Sequence, residues 1–355
     1  MASLVTTLTE TLRYRGAIGQ WSWILHRLSG LGVVFFLTLH VIDTSWAVFY
    51  PALYVEAIAI YQTPLFTLGE FGLVAAVVYH ALNGMRIVVF DYRPEWWQHQ
   101  ARAAQLVLVG TVLLLIPVFL IMFGHVLRFY NESPETLGLA EVIRGQIPFA
   151  LGIGAAAIAA VILAVLTQPL FADGSKRTSG ARPKGSRLER FWWSFMRVSG
   201  IIIVPLVFGH LAMMHLIQGV FDLTLQNSAI VGTTAVNASG TSVEFVVDRW
   251  SHLLFGSVAI WRIYDFALLL LVVVHGFNGL RFILTDYLSF NPILKRAAIY
   301  LCTIGAAILL GLGGGALVAA IPTDAIQVAE EAMDALFDGE APAEGDAAAV
   351  VVDGQ

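Results

Sequence analysis

Long apolar runs dominate this sequence. Seven stretches are each long enough to cross a bilayer as a helix, which takes about 20 apolar residues. Their positions are 24–48, 66–90, 104–129, 148–172, 192–219, 261–285 and 297–321. Apolar positions are continuous in these runs and do not alternate with polar ones, so a closed β-barrel is excluded. The pattern predicts an all-α membrane protein with seven transmembrane helices.

Composition and charge narrow the class of protein further. Of the 355 residues, 58% are hydrophobic and 13% are charged, and the mean hydropathy is +0.77. A soluble domain carries about 25% charged residues, so a soluble enzyme is excluded, and membrane lipids are the expected surroundings. The net charge of −5 gives no electrostatic attraction to nucleic acid. The single cysteine, Cys302, cannot hold an iron–sulfur cluster, so other residues must hold any redox centre.

The distribution of basic residues predicts the orientation. Lys and Arg collect in cytoplasmic loops. With the N-terminus inside, four of the twenty basic residues lie outside, namely Arg128, Arg144, Arg249 and Arg262. The reverse orientation would place the other sixteen outside, so we expect the N-terminus inside and the C-terminus outside. The acidic, Ala-rich tail is expected to be outside and disordered.

One polar motif occurs twice, at an offset of 195 residues. The segments 80–92 (HALNGMRIVVFDY) and 275–287 (HGFNGLRFILTDY) share a leading histidine, an Asn-Gly pair, an arginine and a closing Asp-Tyr pair. The same offset places Glu70 opposite Asp265. So many matched polar positions on an apolar background indicate an internal repeat.

A second motif recurs at an offset of 170 residues. The segment 27–30 (RLSG) matches 197–200 (RVSG), and His40 matches His210, each thirteen residues after its arginine. The offsets differ because the second half contains a longer outer loop.

The repeats predict two parallel three-helix units, related by a pseudo-twofold axis along the membrane normal. Such units can be joined only if the chain crosses the membrane once more between them, which explains the seventh run. The fold class is therefore two three-helix repeats joined by one extra linking helix, around a haem-binding four-helix core. The predicted divisions are the first repeat 1–129, the linking helix and basic cytoplasmic loop 130–190, the second repeat 191–321 and the tail 322–355.

Four histidines in these motifs are the strongest candidates for function, because ionisable side chains inside a membrane are costly. Repeat-equivalent residues lie at the same depth, so His80 can face His275 and His40 can face His210. Two facing imidazoles ligate one iron from both sides, and without cysteine ligands haem b is the expected occupant. His215 is an alternative to His210, although it departs from the offset.

The two histidine pairs are expected at different depths. His40 lies thirteen residues beyond Arg27, or about 20 Å from the inner surface at 1.5 Å per residue. His80 lies six residues before Arg86, or about 9 Å from that surface. The sequence thus predicts two b haems stacked across the membrane, with the His80/His275 pair nearer the cytoplasm.

Polar residues around the histidines have alternative interpretations. Arginines near the inner surface are candidates for binding haem propionates or a quinone head group, or are snorkelling anchors. These arginines are Arg27, Arg86, Arg197 and Arg281. Three acids are candidates for a proton path or for structural hydrogen bonding, namely Asp43, Glu70 and Asp265. Gly84 and Gly279, one turn after their histidines, either make room for a flat porphyrin or allow close helix packing.

At this point the chain resembles a known family. The segment 21–30 (WSWILHRLSG) resembles the first-helix signature of the large cytochrome b anchor subunit of succinate dehydrogenase, and 80–91 resembles its haem-ligand helix. The second half, with 275–287, is similar to the small anchor subunit of the same complex. The resemblance covers about 20–129 and 191–321. It indicates a natural fusion of two anchor subunits.

The resemblance implies a function and partners. Such an anchor binds a flavoprotein subunit with covalent FAD and an iron–sulfur subunit on the cytoplasmic face of a bacterial or archaeal membrane. Electrons pass between succinate and a quinone near the inner surface, and higher oligomers of the complex are compatible with this arrangement. With both histidine pairs, the chain resembles the dihaem members, for which menaquinone is favoured over ubiquinone. The residues leave open whether succinate is oxidised or fumarate is reduced.

The resemblance also assigns roles to single residues. Tyr287 matches a tyrosine that contacts the quinone, whereas the family's quinone-contacting serine is Trp23 here, one position from Ser22. The quinone-site candidates are Arg27, Ser22, Asp91, Asp286 and Tyr287. Arg197 matches a propionate-binding arginine. The propionate candidates are Arg197, Arg86, Arg281 and His26.

Two other interpretations compete with this one. A dihaem cytochrome b could serve a hydrogenase or formate dehydrogenase, in which case the hydrophilic partners would lack FAD. A parallel-repeat secondary transporter would contain broken helices at the midplane and no haem. The transporter is disfavoured because Pro205 has no repeat partner.

Overall fold

The computed structural model of the chain describes residues 17–61, 64–132, 139–172, 187–212, 241–251, 253 and 259–338. All regular structure in these ranges is helical. Five parts of the predictions lie outside them, namely residues 1–16 of the first repeat, His215, most of the basic cytoplasmic loop, most of the outer loop between 220 and 260, and residues 339–355 of the tail.

The described chain contains eleven α-helices and one short 3₁₀ helix, Pro94–His99. Seven of the α-helices are long and apolar enough to span a membrane, which confirms the seven predicted spans. The spanning helices are α1 (Ile18–Phe49), α3 (Pro64–Tyr92), α4 (Gln100–Glu132), α5 (Leu139–Leu166), α7 (Arg187–Ala212), α9 (Ile260–Tyr287) and α10 (Pro292–Val318). The other helices are α2 (Pro51–Tyr61), α6 (Gln168–Ala172), α8 (Ser242–Ser251) and α11 (Ala325–Asp338).

Local sequence explains where α10 begins. The Asn291 side chain accepts hydrogen bonds from the backbone N–H groups of Ile293 and Leu294, at 2.8 and 3.2 Å, and Pro292 occupies the first helical position. An N-cap side chain satisfies donors that a helix leaves unpaired, and proline at this position loses no bond. The chain therefore turns sharply after α9 and returns as a neighbouring helix.

Four helices, α1, α3, α7 and α9, form the centre of the bundle. Within the halves α1 packs on α3 and α7 packs on α9, and across the halves α1 contacts α9 and α3 contacts α7. Helix α4 flanks α3, and α10 flanks α9 and α1. Gly313 makes this last contact close, because a Cβ there would lie 2.8 Å from Val41 Cγ1 and 2.9 Å from Leu269 Cδ2. Small residues at such positions let membrane helices approach each other.

Helix α5 is the extra span between the two motif-bearing halves, and it packs along α10. Ala160 and Ala164 are buried against Ala297. At the end of α5, the Thr167 hydroxyl lies 3.0 Å from the Tyr300 hydroxyl. Alanines four residues apart give α5 a smooth face for this contact.

The helices α2, α8 and α11 form a cap over one end of the bundle, where they pack on one another. Their buried residues belong to one apolar cluster, which includes Tyr54, Val55, Val243, Val246, Ala325, Ala329 and Ala332. The expectation of a disordered tail is wrong for residues 325–338. Alanines spaced by four and three residues give this acidic stretch one small apolar face, which docks on α2 and α8.

Candidate redox cavity

An elongated cavity of about 620 Å³ runs through the four central helices. Arg27 and Arg197 line one end, which we call the arginine end, and Trp250 and Asp265 line the cap end. Aliphatic side chains form most of the wall between them. A cavity of several hundred Å³ with a few polar groups is typical of a cofactor site. The four predicted ligands all line it, namely His40, His80, His210 and His275.

Serines on neighbouring helices orient two of these histidines. His80 Nδ1 lies 3.3 Å from Ser29 Oγ and 3.1 Å from the His26 carbonyl oxygen. In the other half, His275 Nδ1 lies 2.9 Å from Ser199 Oγ. The two serines are equivalent at the 170-residue offset. Since Nδ1 is engaged in both rings, Nε2 is the nitrogen available to a metal.

His26 contributes a fifth imidazole to the cavity wall. Its ring stacks on that of His80, with centroids 4.0 Å apart and planes 9° apart. Its Nδ1 is buried and has no hydrogen-bond partner among the described residues. Gly84 and Gly279 line the same cavity, so the missing side chains widen it at the two equivalent positions.

His40 and His210 approach each other at the cap end. Their ring centroids are 6.2 Å apart and their planes are at 77°. A metal–imidazole bond measures about 2.0–2.1 Å, so this separation accommodates one metal ion between two ring nitrogens. Histidine pairs in an apolar cavity fit b-type haem, whose iron takes imidazole ligands.

Asp265 makes several polar contacts beneath the cap. Its carboxylate accepts hydrogen bonds from Arg249 Nη2 at 2.8 Å, Arg249 Nε at 3.2 Å and Trp250 Nε1 at 3.0 Å. One carboxylate oxygen lies 3.8 Å from His210 Nδ1. The guanidinium of Arg249 also lies 4.7 Å from the Trp261 ring centroid. The carboxylate is therefore fixed beside a predicted haem ligand.

Asp43 belongs to a second polar group at the cap end. It is buried and accepts a hydrogen bond from the Tyr61 hydroxyl, while its other carboxylate oxygen has no partner among the described residues. Burial, the hydrogen bond to Asp43 and the charges of Asp43 and Glu70 raise the pKa of Tyr61 far above its usual value. Tyr61 is thus a neutral donor to Asp43.

Two ion pairs join the halves at the arginine end. Arg27 of α1 pairs with Asp286 of α9, and Arg197 of α7 pairs with Asp91 of α3. The offset of 170 residues relates Arg27 to Arg197, and the offset of 195 residues relates Asp91 to Asp286. Each ion pair is therefore the repeat equivalent of the other. This equivalence supports the predicted twofold relation between the halves.

The aromatic neighbours of the two arginines repeat in the same way. The Arg27 guanidinium lies 4.0 Å from the Trp23 ring centroid, and that of Arg197 lies 4.2 Å from the Trp193 ring centroid. Trp23 and Trp193 are equivalent at the 170-residue offset. Each arginine is therefore held between an indole ring and a carboxylate of the other half.

The two ion pairs differ in exposure and in geometry. The Asp286 side chain is 55% exposed, whereas that of Asp91 is 18% exposed. Arg197 donates to Asp91 through Nε at 3.0 Å and Nη2 at 2.7 Å, while Arg27 reaches Asp286 through Nη2. Tyr287, which is exposed, lies beside Arg27 with its ring centroid 5.8 Å from Cζ. We call the Arg27–Asp286 pair open, because its carboxylate is exposed, and the Arg197–Asp91 pair closed, because its carboxylate is less exposed and accepts two hydrogen bonds.

Three other candidate residues lie outside the cavity lining. Ser22 donates to Asn83 Oδ1 at 2.8 Å and so joins α1 to α3. Arg281 donates to Asn278 Oδ1 through two nitrogens, at 3.0 and 2.9 Å. Arg86, its equivalent at the 195-residue offset, has two buried nitrogens without a hydrogen-bond partner in the described part of the chain.

Comparison with known proteins identifies the family. The sequence model of the succinate dehydrogenase/fumarate reductase transmembrane subunit matches residues 7–119 and 174–313. The chain belongs to this family. It is therefore a multi-pass membrane protein, and the resemblance to succinate dehydrogenase anchors is confirmed. Members of the family are cytochrome b anchors that generally bind haem and quinone.

Two curated relatives support the same family. The chain is 44% identical to the succinate dehydrogenase 2 membrane subunit SdhC of Mycobacterium tuberculosis over 125 residues, which are 33% of this chain and 89% of that protein. It is 30% identical over 105 residues to the succinate dehydrogenase hydrophobic membrane anchor subunit of Halobacterium salinarum, which are 29% of this chain and 81% of that protein. No solved structure matches the chain. The family match favours the succinate dehydrogenase interpretation over the hydrogenase, formate dehydrogenase and transporter alternatives.

Four residues that contact the predicted site residues were not themselves predicted from the sequence. The repeat could have indicated Ser29 and Ser199, because each lies between a matched arginine and a matched glycine. No sequence pattern indicates Arg249 and Trp250, because they lie in the part of the second half that has no counterpart in the first.

Proposed function

We propose that this chain is the membrane-anchor cytochrome b of a succinate:quinone oxidoreductase. It binds two b haems and a quinone, and it carries electrons between an iron–sulfur subunit and the quinone pool as a non-catalytic subunit. The observation that carries this proposal is the placement of two histidine pairs along one apolar cavity, each pair drawn from both halves of the chain.

The histidine pairs define the two haem sites. His80 and His275 hold the inner haem through Nε2, because Nδ1 of each ring already contacts a serine. His40 and His210 hold the outer haem. The bound haems supply one-electron transfer through the apolar part of the membrane. The chain supplies the ligands, the apolar wall and the charges around them.

The propionates of the inner haem need cationic or N–H partners. We assign this role to His26 and Arg86 ahead of Arg197 and Arg281. His26 and Arg86 have buried nitrogens without a hydrogen-bond partner among the described residues, and they interact electrostatically with each other. The guanidinium groups of Arg197 and Arg281 are already bound to side-chain oxygens.

The open ion pair at the arginine end is the proposed quinone site. The exposed Asp286 and Tyr287 leave space for a polar head group beside Arg27. The closed pair of Arg197 and Asp91 serves to hold the halves together. The Ser22 hydroxyl is already hydrogen-bonded to Asn83 between α1 and α3. We therefore propose Arg27, Asp286 and Tyr287, and not Ser22, as the contacts of the head group. The two haems favour menaquinone over ubiquinone.

Two matched segments support a fusion of large and small anchor subunits. The family model matches on either side of residues 120–173, which contain the whole of α5. Each curated relative covers about a third of the chain. The proposed partners are a flavoprotein subunit with FAD and an iron–sulfur subunit with its clusters, at the arginine end. This end faces the cytoplasm, with the N-terminus inside and the C-terminus outside.

The acids at the cap end divide into two roles. Asp43, Tyr61 and Glu70 form the proposed proton path between the outer surface and the outer haem site. Tyr61 of the non-spanning helix α2 donates to Asp43 and interacts electrostatically with Glu70. Asp265 is not assigned to this path, because Arg249 and Trp250 occupy its carboxylate.

Counting haems in the purified complex tests the proposal. A pyridine haemochrome assay, scaled to this chain, is expected to give two b haems in the wild-type complex. His80→Ala and His275→Ala should each remove the inner haem and leave the outer one, and His40→Ala should do the reverse. His99→Ala, at the exposed end of the 3₁₀ helix, is the matched control and should retain both.

The assay has clear contrary outcomes. No haem in a folded complex, or no succinate–quinone activity in a complex with both partner subunits, would overturn the proposal. Unchanged haem content in His40→Ala would reduce the outer pair to a packing contact.

A further inference from the structure

We infer that Asp265, held in place by Arg249 and Trp250 of the cap, sets the reduction potential of the outer haem. This inference rests on the proposed function, in which His40 and His210 hold that haem. It assigns α8 a role in electron transfer, as the element that adjusts the charge beside an iron ligand.

The first step is that α8 is firmly fixed over the cavity. Trp250 lines the cavity, and Arg249 is buried. Arg262 donates to the Trp250 carbonyl at 2.9 Å and to the carbonyls of Leu317 and Ala319 at 2.9 and 3.1 Å. These bonds tie the end of α8 to the end of α10. The Asp265 contacts are therefore part of a rigid junction.

The second step is the electrostatic effect of this junction. Asp265 lies 3.8 Å from His210 Nδ1 and interacts electrostatically with His40, so its charge acts on both proposed ligands. A negative charge close to a metal-bound imidazole makes the ring a stronger electron donor. The ferric state is then favoured and the potential is lower. The positive charge of Arg249 opposes this effect.

The third step is that the repeat does not reproduce this arrangement. Glu70 is the equivalent of Asp265 at the 195-residue offset. Its described electrostatic partner is Tyr61 of α2. Of these two equivalent acids, the one beside the proposed iron ligands thus comes from the second half.

The test is a spectroscopic redox titration of the complete purified complex. The outer haem is identified as the one that His40→Ala removes. Asp265→Asn should raise its midpoint potential, and Arg249→Gln should lower it. Each single change should alter the ferric/ferrous ratio at fixed potential at least tenfold, which corresponds to about 59 mV for one electron.

The controls separate a charge effect from a structural one. The Asp265→Asn/Arg249→Gln double variant should return the outer potential towards that of the wild type, because the two charges are removed together. Glu330→Gln, which removes an exposed negative charge from α11 of the cap, should shift it less than threefold in the same ratio. The inner haem should not respond to any of these changes. If the Asp265→Asn complex does not assemble, two other variants provide the test. Arg249→Gln should lower the midpoint potential of the outer haem, and Asp265→Glu should leave it unchanged.

The outcomes distinguish this inference from the proposed function. Shifts in the same direction for Asp265→Asn and Arg249→Gln, or unchanged potentials with both haems present, would overturn the inference alone. A wild-type complex without an outer haem would overturn both.

Discussion

The position of each proposed inner-haem ligand depends on the residues that face it from the neighbouring helix. At Gly30 an added Cβ would lie 2.9 Å from His80 Cε1, and at Gly200 it would lie 3.5 Å from His275 Cε1. The first distance requires the ring to move, whereas the second is an ordinary contact. Equivalent glycines therefore impose different restrictions in the two halves.

This difference predicts opposite results for two matched substitutions. Gly30→Ala should displace the His80 ring from Ser29 and reduce inner-haem content by at least half. Gly200→Ala should retain the haem, because the His275 ring can remain in place. The haemochrome assay and the Soret absorbance of the purified complex measure both. Equal retention in the two variants would show that the close approach at Gly30 does not restrict the ligand.

The sequence predicts which residues are equivalent, but not which ones touch. The offsets identify the four histidines, and the structure places them along one cavity. They do not show that Arg27 pairs with Asp286 and Arg197 with Asp91, because a contact between halves depends on how the helices pack. Ser22 shows the same limit of sequence-based prediction. Its position near Arg27 indicated a contact with the quinone head group, but in the structure its hydroxyl is hydrogen-bonded to Asn83.

Among the elements, α11 departs most from its sequence prediction. Its acidic residues lower the mean hydropathy, and its buried face consists of alanines, which give a weak apolar signal. Alanine nonetheless has the highest helix propensity. Once α2 and α8 provide a surface, this face is sufficient for docking. The spans were predictable because their apolar runs need no such partner.

Docking of α11 predicts a contrast between adjacent positions. Ala329→Arg should destabilise the complex, because Ala329 is 0% exposed and the arginine would bury an unpaired charge. The cost should be about 3 kcal/mol. The midpoint of thermal unfolding should then fall by roughly 6 °C or more.

Glu330→Arg is the control for this position, because Glu330 is exposed. It should leave the unfolding midpoint nearly unchanged. The loss of haem absorbance on heating, recorded for both variants and the wild type, measures the difference. Similar midpoints for both variants would contradict the docking of α11 on the cap.

On the scale of the whole molecule, repeated parts have acquired different tasks. Both halves supply one arginine and one aspartate to the ion pairs between them. The pair on one side is closed and the pair on the other is open. At the cap end, Arg249 and Trp250 of α8 contact Asp265 of the second half and have no counterpart in the first half. Such differences are possible because each copy of the repeat can change independently.

The unequal ion pairs predict unequal effects on quinone reduction. Arg27→Gln should raise the KM for quinone about tenfold or more, since a hydrogen bond from a charged donor contributes about 1.5–3 kcal/mol. Arg197→Gln should leave this KM within about twofold, because the Arg197–Asp91 pair is closed by two hydrogen bonds. It should instead lower the thermal stability of the complex. Steady-state kinetics with a soluble quinone analogue, together with haem counts to confirm assembly, measure the contrast. A larger rise in KM for Arg197→Gln than for Arg27→Gln would place the head group at the other ion pair and reverse the assignment of the quinone site.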